Sequence, residues 1–134
     1  VLVAANGAEH LLAHHIVVAW KDCREARRVV TDAMPFLIRA DEVVVVTAAK
    51  ENSEASKASL ADVISYLGAH GVKARSQISN FKVDGQHLFE LARDFHSDLI
   101  VAGAYGHSRL REWAFGGVTR SLLNETNICR FMSN

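Results

Sequence analysis

A three-layer α/β fold, one parallel sheet with helices on both faces, is what the sequence predicts. Two short runs, Ile16-Val17-Val18-Ala19-Trp20 and Val43-Val44-Val45-Val46, are apolar at every position and read as strands covered on both faces. Segments of helical period separate such runs along the whole chain. Parallel strands joined through helices need right-handed crossovers, and these place helices on both faces of the sheet.

The elements follow in order. A strand over 16–20 precedes Val29, Val30, Ala33, Met34, Leu37 and Ile38, which recur at helical spacing. They read as one bent helix, with Pro35 as a kink or restart because it removes a backbone donor. A second strand runs from Glu42 to Thr47. Leu60, Val63, Ile64 and Leu67 then fall at i, i+3, i+4 and i+7, after a Ser53-Glu54-Ala55-Ser56 start and before Gly71 as C′ residue. Val72 to Ile78 reads as a more exposed strand, and Leu88, Leu91, Ala92 and Phe95 as a third amphipathic helix with Asp84 as its N-cap. Asp98 to Ala102 is a buried strand. A last helix is expected from about Gly117 to Asn124, with Val118, Leu122 and Leu123 apolar, and Ile128 to Met132 closes the sheet.

At 134 residues the chain is long enough for one domain with its own core. Hydrophobic residues make up 49% and charged residues 22%, and the net charge is zero with neutral histidines, so no broad nucleic-acid or membrane footprint is expected. The two cysteines, Cys23 and Cys129, have no ligand-like spacing, which argues against a zinc site or disulfide framework and for a reducing, cytoplasmic setting. No apolar run approaches the roughly 18 residues of a membrane helix. Val1-Leu2-Val3-Ala4 reads as a strand fragment and Ala5-Asn6-Gly7-Ala8-Glu9-His10 as a linker, dividing the chain into 1–13 and a domain over 14–134.

Glycines concentrate where a ligand of such a sheet would sit. Gly103 and Gly106 directly follow the 98–102 strand, and Gly116-Gly117 stand at the start of the expected last helix. Glycine permits close backbone approach, and a helix N-terminus offers unpaired N–H groups and a positive dipole end, so the combination suits phosphate. The competing reading is that the glycines only permit a tight turn. Neither GxxxxGK[ST] nor a G-x-G-x-x-G after the first strand is present.

The spacing that does occur, Gly103-x-x-Gly106, nine residues, then Gly116 and Gly117 followed by Val118-Thr119, resembles that of the universal stress protein family. The resemblance spans nearly the whole chain, through HIVVAW, EVVVVTA, GVKARSQI, DLIVAGAYGHSRL and ICRFMSN. It implies a five-stranded parallel sheet in the order 3-2-1-4-5, ATP or a related adenine nucleotide across the strand ends, and at most slow hydrolysis. Whether Mg2+ accompanies the phosphates stays open. It also implies a homodimer through the closing strand Ile128-Cys129-Arg130-Phe131-Met132, and a tandem domain upstream, whose last strand VLVAA would resemble.

Carried over position by position, Gly103, Gly106, Gly116, Gly117 and Thr119 would line the phosphates, with backbone near Val118. Ala19, Trp20 and Lys21 would lie beside the ribose and base, and Thr47 and Ala48 would flank the adenine. Two positions depart from the pattern. Lys21 replaces an acidic residue and loses an acceptor, and Gly117 replaces a Ser or Thr and loses a hydroxyl. Lys21, Arg109 and Arg111 still supply cations for a phosphate.

Other residues carry paired readings. His107 is a contact residue in the candidate site, since no nucleophile or carboxylate is paired with it, and the remaining histidines lack metal spacing. Trp20 either stacks on a base or fills the cleft. Leu110, Trp113 and Phe115 pack a short turn or meet a partner. Cys23, near Lys21 and a helix N-terminus, is set up for thiolate and redox sensing or is an ordinary loop residue. A nucleotide-free dimerisation module of the same fold is the alternative function, since an exposed edge strand asks to be covered. A response-regulator or flavodoxin relative would need an acidic or flavin-binding end to the first strand, which Ala19-Trp20-Lys21 lacks.

Overall fold

The computed structural model describes residues 2–48, 54–79, 85–103 and 127–133. The expected last helix and the Asp84 cap lie outside these ranges. In chain order the elements are β1 (Leu2–Val3), β2 (His15–Ala19), α1 (Arg24–Asp32), α2 (Met34–Arg39), β3 (Glu42–Ala48), α3 (Glu54–Ala69), β4 (Ala74–Ser79), α4 (Gly85–Asp94), β5 (Leu99–Gly103) and β6 (Cys129–Ser133).

Six strands form one sheet in the order β1-β6-β5-β2-β3-β4. The expected five strands in the order 3-2-1-4-5 therefore need correction. Five neighbouring strands run parallel and would read in that order by themselves, but β1 is added outside β6 and runs antiparallel to it. The pairing is short, Leu2 with Phe131 and Val3 with Arg130. Its cause is the outer edge of β6, a row of backbone groups that an apolar segment satisfies.

The alternating strand faces build two cores. Ile16, Val18, Trp20, Val43, Val45, Leu99 and Val101 face α1, α2 and α3, where Val29, Leu37, Leu60, Val63 and Leu67 meet them. Val17, Ala19, Val44, Val46, Ile100 and Ala102 face the other way, onto Leu88, Phe89 and Ala92 of α4. Both faces of the central strands are thus covered, which explains runs with no polar position.

The single bent helix expected over 29–38 is instead two helices. Ala33 sits between them at φ −85°, ψ −2°, closing α1 through a hydrogen bond to Val29 O of 2.8 Å and opening α2, whose first turn holds Pro35. A proline inside one continuous helix would lose a bond and press its ring on the preceding turn, whereas in a first turn its missing N–H costs nothing.

Helices α3 and α4 end alike. After α3, Gly71 N–H donates to Gly68 O at 3.0 Å and Val72 N–H to Leu67 O at 2.9 Å, with Gly71 at φ +78°. After α4, His96 N–H donates to Arg93 O at 3.0 Å and Ser97 N–H to Ala92 O at 2.7 Å, with His96 at φ +52°. Both are Schellman endings, and the second holds a left-handed residue with a side chain. Just beyond, the Asp98 carboxylate accepts from the backbone N–H of His14 at 3.2 Å and of His15 at 3.1 Å. Asp98 N–H donates to His15 O at 2.9 Å, so the starts of β2 and β5 are tied together. At the far edge Arg75 of β4 pairs with Glu42 at 2.7 Å and lies 4.9 Å from the Phe95 ring centre. Among the described residues no helix is long and apolar enough to cross a membrane.

Candidate functional site

From β2 the chain steps outward to β3 and β4, then returns to the other side of β2 for β5. The switch point of the sheet therefore lies between β2 and β5, and ligands of doubly wound sheets sit beyond the C-terminal ends of the strands at such a point. Ala19 pairs with Val46 on one side and Ala102 on the other, so Ala19, Trp20, Thr47, Ala48 and Gly103 share one edge of the sheet. Trp20 N–H extends the pairing by donating to Val46 O at 2.8 Å.

The chain turns sharply after β2. Cys23 N–H donates to Lys21 O at 2.8 Å, and Cys23 itself, at φ −143°, ψ 163°, is the N-cap of α1 without a side-chain capping bond. The first turn of α1 comes to rest against the end of β5. A Cβ placed on Gly103 would lie 2.9 Å from Glu25 C, 3.0 Å from Ala26 N and 3.0 Å from Glu25 Cβ. Gly103 is glycine because a helix backbone occupies the space of its side chain. Its absent side chain brings the positive end of α1 to this switch point.

Trp20 takes neither of its two expected places. Its indole is 8% exposed, packed in the core beneath α1 and α3, with Nε1–H donating to Ser59 Oγ at 3.2 Å. Only its backbone belongs to the strand edge. Of the two readings of Cys23, the structure favours the ordinary residue over the thiolate. Burial pushes its thiol above the ordinary value, and the Glu25 carboxylate pushes the same way, against a lowering by the Ala26 backbone N–H. The favoured form is the thiol, because desolvation outweighs the helix end.

Thr47 is buried at the end of β3. One strand further, Ser79 pairs in register with Ala48 and is 3% exposed, and its hydroxyl has no hydrogen-bond partner. Nothing in the sequence singled out Ser79, since a serine closing a polar edge strand has no periodic or motif signal. Gly106, His107, Arg109, Gly116, Gly117, Val118 and Thr119, with Leu110, Trp113 and Phe115, lie outside the described residues. Among the described residues no three His, Cys, Asp or Glu side chains group to hold a metal.

A doubly wound sheet whose switch point lies between β2 and β5 defines the class, a three-layer α/β protein. No protein-family model and no curated protein matches the sequence. Solved structures do match in fold. Universal stress protein UspA from Lactobacillus plantarum superposes with a TM-score of 0.70 at 16% identity, over 91% of this chain and 98% of that one. A universal stress protein from Archaeoglobus fulgidus gives 0.66 at 22%, over 87% and 96%. A universal stress protein in complex with cAMP gives 0.66 at 20%, over 90% and 96%. The chain has the universal stress protein fold.

Proposed function

We propose that this chain is a universal stress protein domain that binds an adenine nucleotide, ATP or a relative, as a regulatory ligand at the switch point between β2 and β5. The observation that carries the reading is the contact of Gly103 with the first turn of α1. It brings the positive end of α1 to the place where the sequence continues as Gly103-x-x-Gly106 and, nine residues on, Gly116-Gly117. A protein of this fold in complex with cAMP supports a ligand of this class. In this reading Lys21, Arg109 and His107 contact phosphate, Val118 and Thr119 continue the cradle, and Thr47, Ala48 and the backbone of Trp20 face the base. The unpartnered Ser79 hydroxyl marks the adenine side as able to take a donor or acceptor.

The residues in named roles include no nucleophile paired with a base, so the bound nucleotide acts by its presence rather than by turnover. Heating purified protein, separating the released small molecules and titrating ATP, AMP and cAMP by calorimetry tests the reading. Bound or titratable nucleotide, weakened strongly in Gly106→Val, is the expected result. A blank release together with no measurable affinity refutes it.

The alternative, a nucleotide-free module dimerising through β6, meets one specific obstacle. β1 lies along the outer edge of β6 at Arg130 and Phe131, so a partner strand must displace it or pair further out. Sedimentation of the chain with and without residues 1–13 separates these arrangements.

A further inference from the structure

The flank between α1 and α3, from the end of β2 outward, holds a groove of about 390 Å3 lined in part by Trp20 and Asp22. Periodicity makes it. Ser59, Asp62, Val63 and Tyr66 recur at i, i+3, i+4 and i+7 along one side of α3, facing Arg27, Val30 and Thr31 at i, i+3 and i+4 of α1. Val30 and Val63 point to the sheet and, with the indole of Trp20, make an apolar floor. The short side chains of Thr31 and Ser59 leave the space above it open.

The charges around the groove do not cancel. Asp22 is in an ion pair with Arg27, while Asp62 has no ion-pair partner among the described residues. One uncompensated carboxylate thus stands beside two aromatic rings. Tyr66 is 41% exposed, unusual for so large a ring. The His70 ring lies 4.5 Å from it, and His70 Nδ1 is 2.9 Å from Tyr66 O. An open phenol next to an indole floor and a carboxylate unpaired among the described residues suits an organic cation. The volume is in the range of small-molecule pockets.

We propose that this groove is a second binding site, taking a small primary ammonium cation with an aromatic body. The ammonium pairs with Asp62, the ring lies on the Trp20 and Val63 floor against Tyr66, and anions of the same shape are excluded by the carboxylate. The groove lies between α1 and α3 and adjoins the proposed nucleotide site at Trp20. The two share Trp20, which gives its backbone to one and its ring to the other.

The test is a titration of the whole chain with phenethylammonium, following the Trp20 indole N–H by 15N NMR, with assignment through Trp20→Phe. For so small a ligand the expected dissociation constant is on the order of 1 mM. Neutral 2-phenylethanol should bind about fivefold more weakly and 3-phenylpropionate not measurably. Asp62→Asn should weaken phenethylammonium about fivefold and abolish the preference for the cation. Tyr66→Leu, which keeps apolar volume at an exposed position, should weaken it about threefold. Equal shifts with cation and anion, or unchanged affinity in Asp62→Asn with the fold intact by circular dichroism, overturn the proposal. So does a binding footprint centred on Gly103 rather than Trp20.

Discussion

Replacing Gly103 by alanine puts one methyl group where α1 already is. Two of the three atoms that it would meet, Glu25 C at 2.9 Å and Ala26 N at 3.0 Å, are backbone. Ordinary carbon contacts are about 3.5–4.0 Å, so α1 and β5 must separate by roughly 0.5–1 Å, and no side-chain rotation relieves the contact. Neither element gives easily. β5 is paired on both sides, with β2 and β6, and the N-terminal turn of α1 is tied to Cys23 O through Arg27 N–H at 3.1 Å. Overpacking of this kind costs about 1–3 kcal/mol. Unfolding entropy of about 2.1 cal/mol/K per residue, over 134 residues, is roughly 0.28 kcal/mol/K, so Tm should fall by about 4–11 °C. Calorimetric melting without ligand reads this directly. Gly68→Ala is the control, because a Cβ at Gly68 meets nothing within 4 Å in the last turn of α3, and it should raise stability by about 0.5–1 kcal/mol. A Gly103→Ala protein that melts within 1 °C of the parent refutes the claim that α1 requires this glycine.

Further outcomes follow from the helix ends, the carboxylate latch and the thiol. Gly71→Ala, at φ +78° with open space around it, should cost about 1 kcal/mol through backbone strain alone, whereas His96→Gly, at φ +52°, should gain a similar amount in urea unfolding. Asp98→Ala leaves the N–H groups of His14 and His15 without their acceptor and should cost about 1–2 kcal/mol, with faster hydrogen exchange at both amides. Cys23 should alkylate slowly at neutral pH, with a rate profile displaced to the alkaline side of an unfolded cysteine, measured by mass spectrometry of its peptide. Because its folded pKa is raised above the ordinary 9.0, its contribution to stability is complete below about pH 9 and declines as pH rises beyond that value. Rapid neutral labelling of the native protein contradicts the assignment.

What the sequence disclosed follows from which forces are local. Unbroken apolar runs such as Val43-Val44-Val45-Val46 announce strands covered on both faces, and the spacing of Leu60, Val63 and Leu67 announces α3, because both patterns record burial residue by residue. Gly71 was legible as a C′ residue for the same reason. His96 in the identical role was not, since left-handed backbone at a histidine is set by the chain on either side. Pro35 marked an interruption and left open whether it bends one helix or restarts a second, which the chain settles by opening α2 one residue earlier. Among site residues, Gly103 was visible as glycine, but the reason for it, a helix turn drawn from residues far away in sequence, is tertiary. The same holds for Trp20, whose ring is claimed by Ser59 thirty-nine positions later, and for the burial that decides between the two readings of Cys23.

The antiparallel seating of β1 on β6 also determines how the domain bears tension. The N-terminal end of β1 lies beside the C-terminal end of β6, so a pull on both loads the pair's bonds one after another, and Leu2 and Val3 peel away at low force. Residues 4–14 then straighten, adding about 35 Å of slack at roughly 3.3 Å per residue. The load next falls on the start of β2 and the end of β6, which point the same way on either side of β5. There the bonds must shear together rather than open singly. In a force-extension trace the domain should yield softly once, then hold.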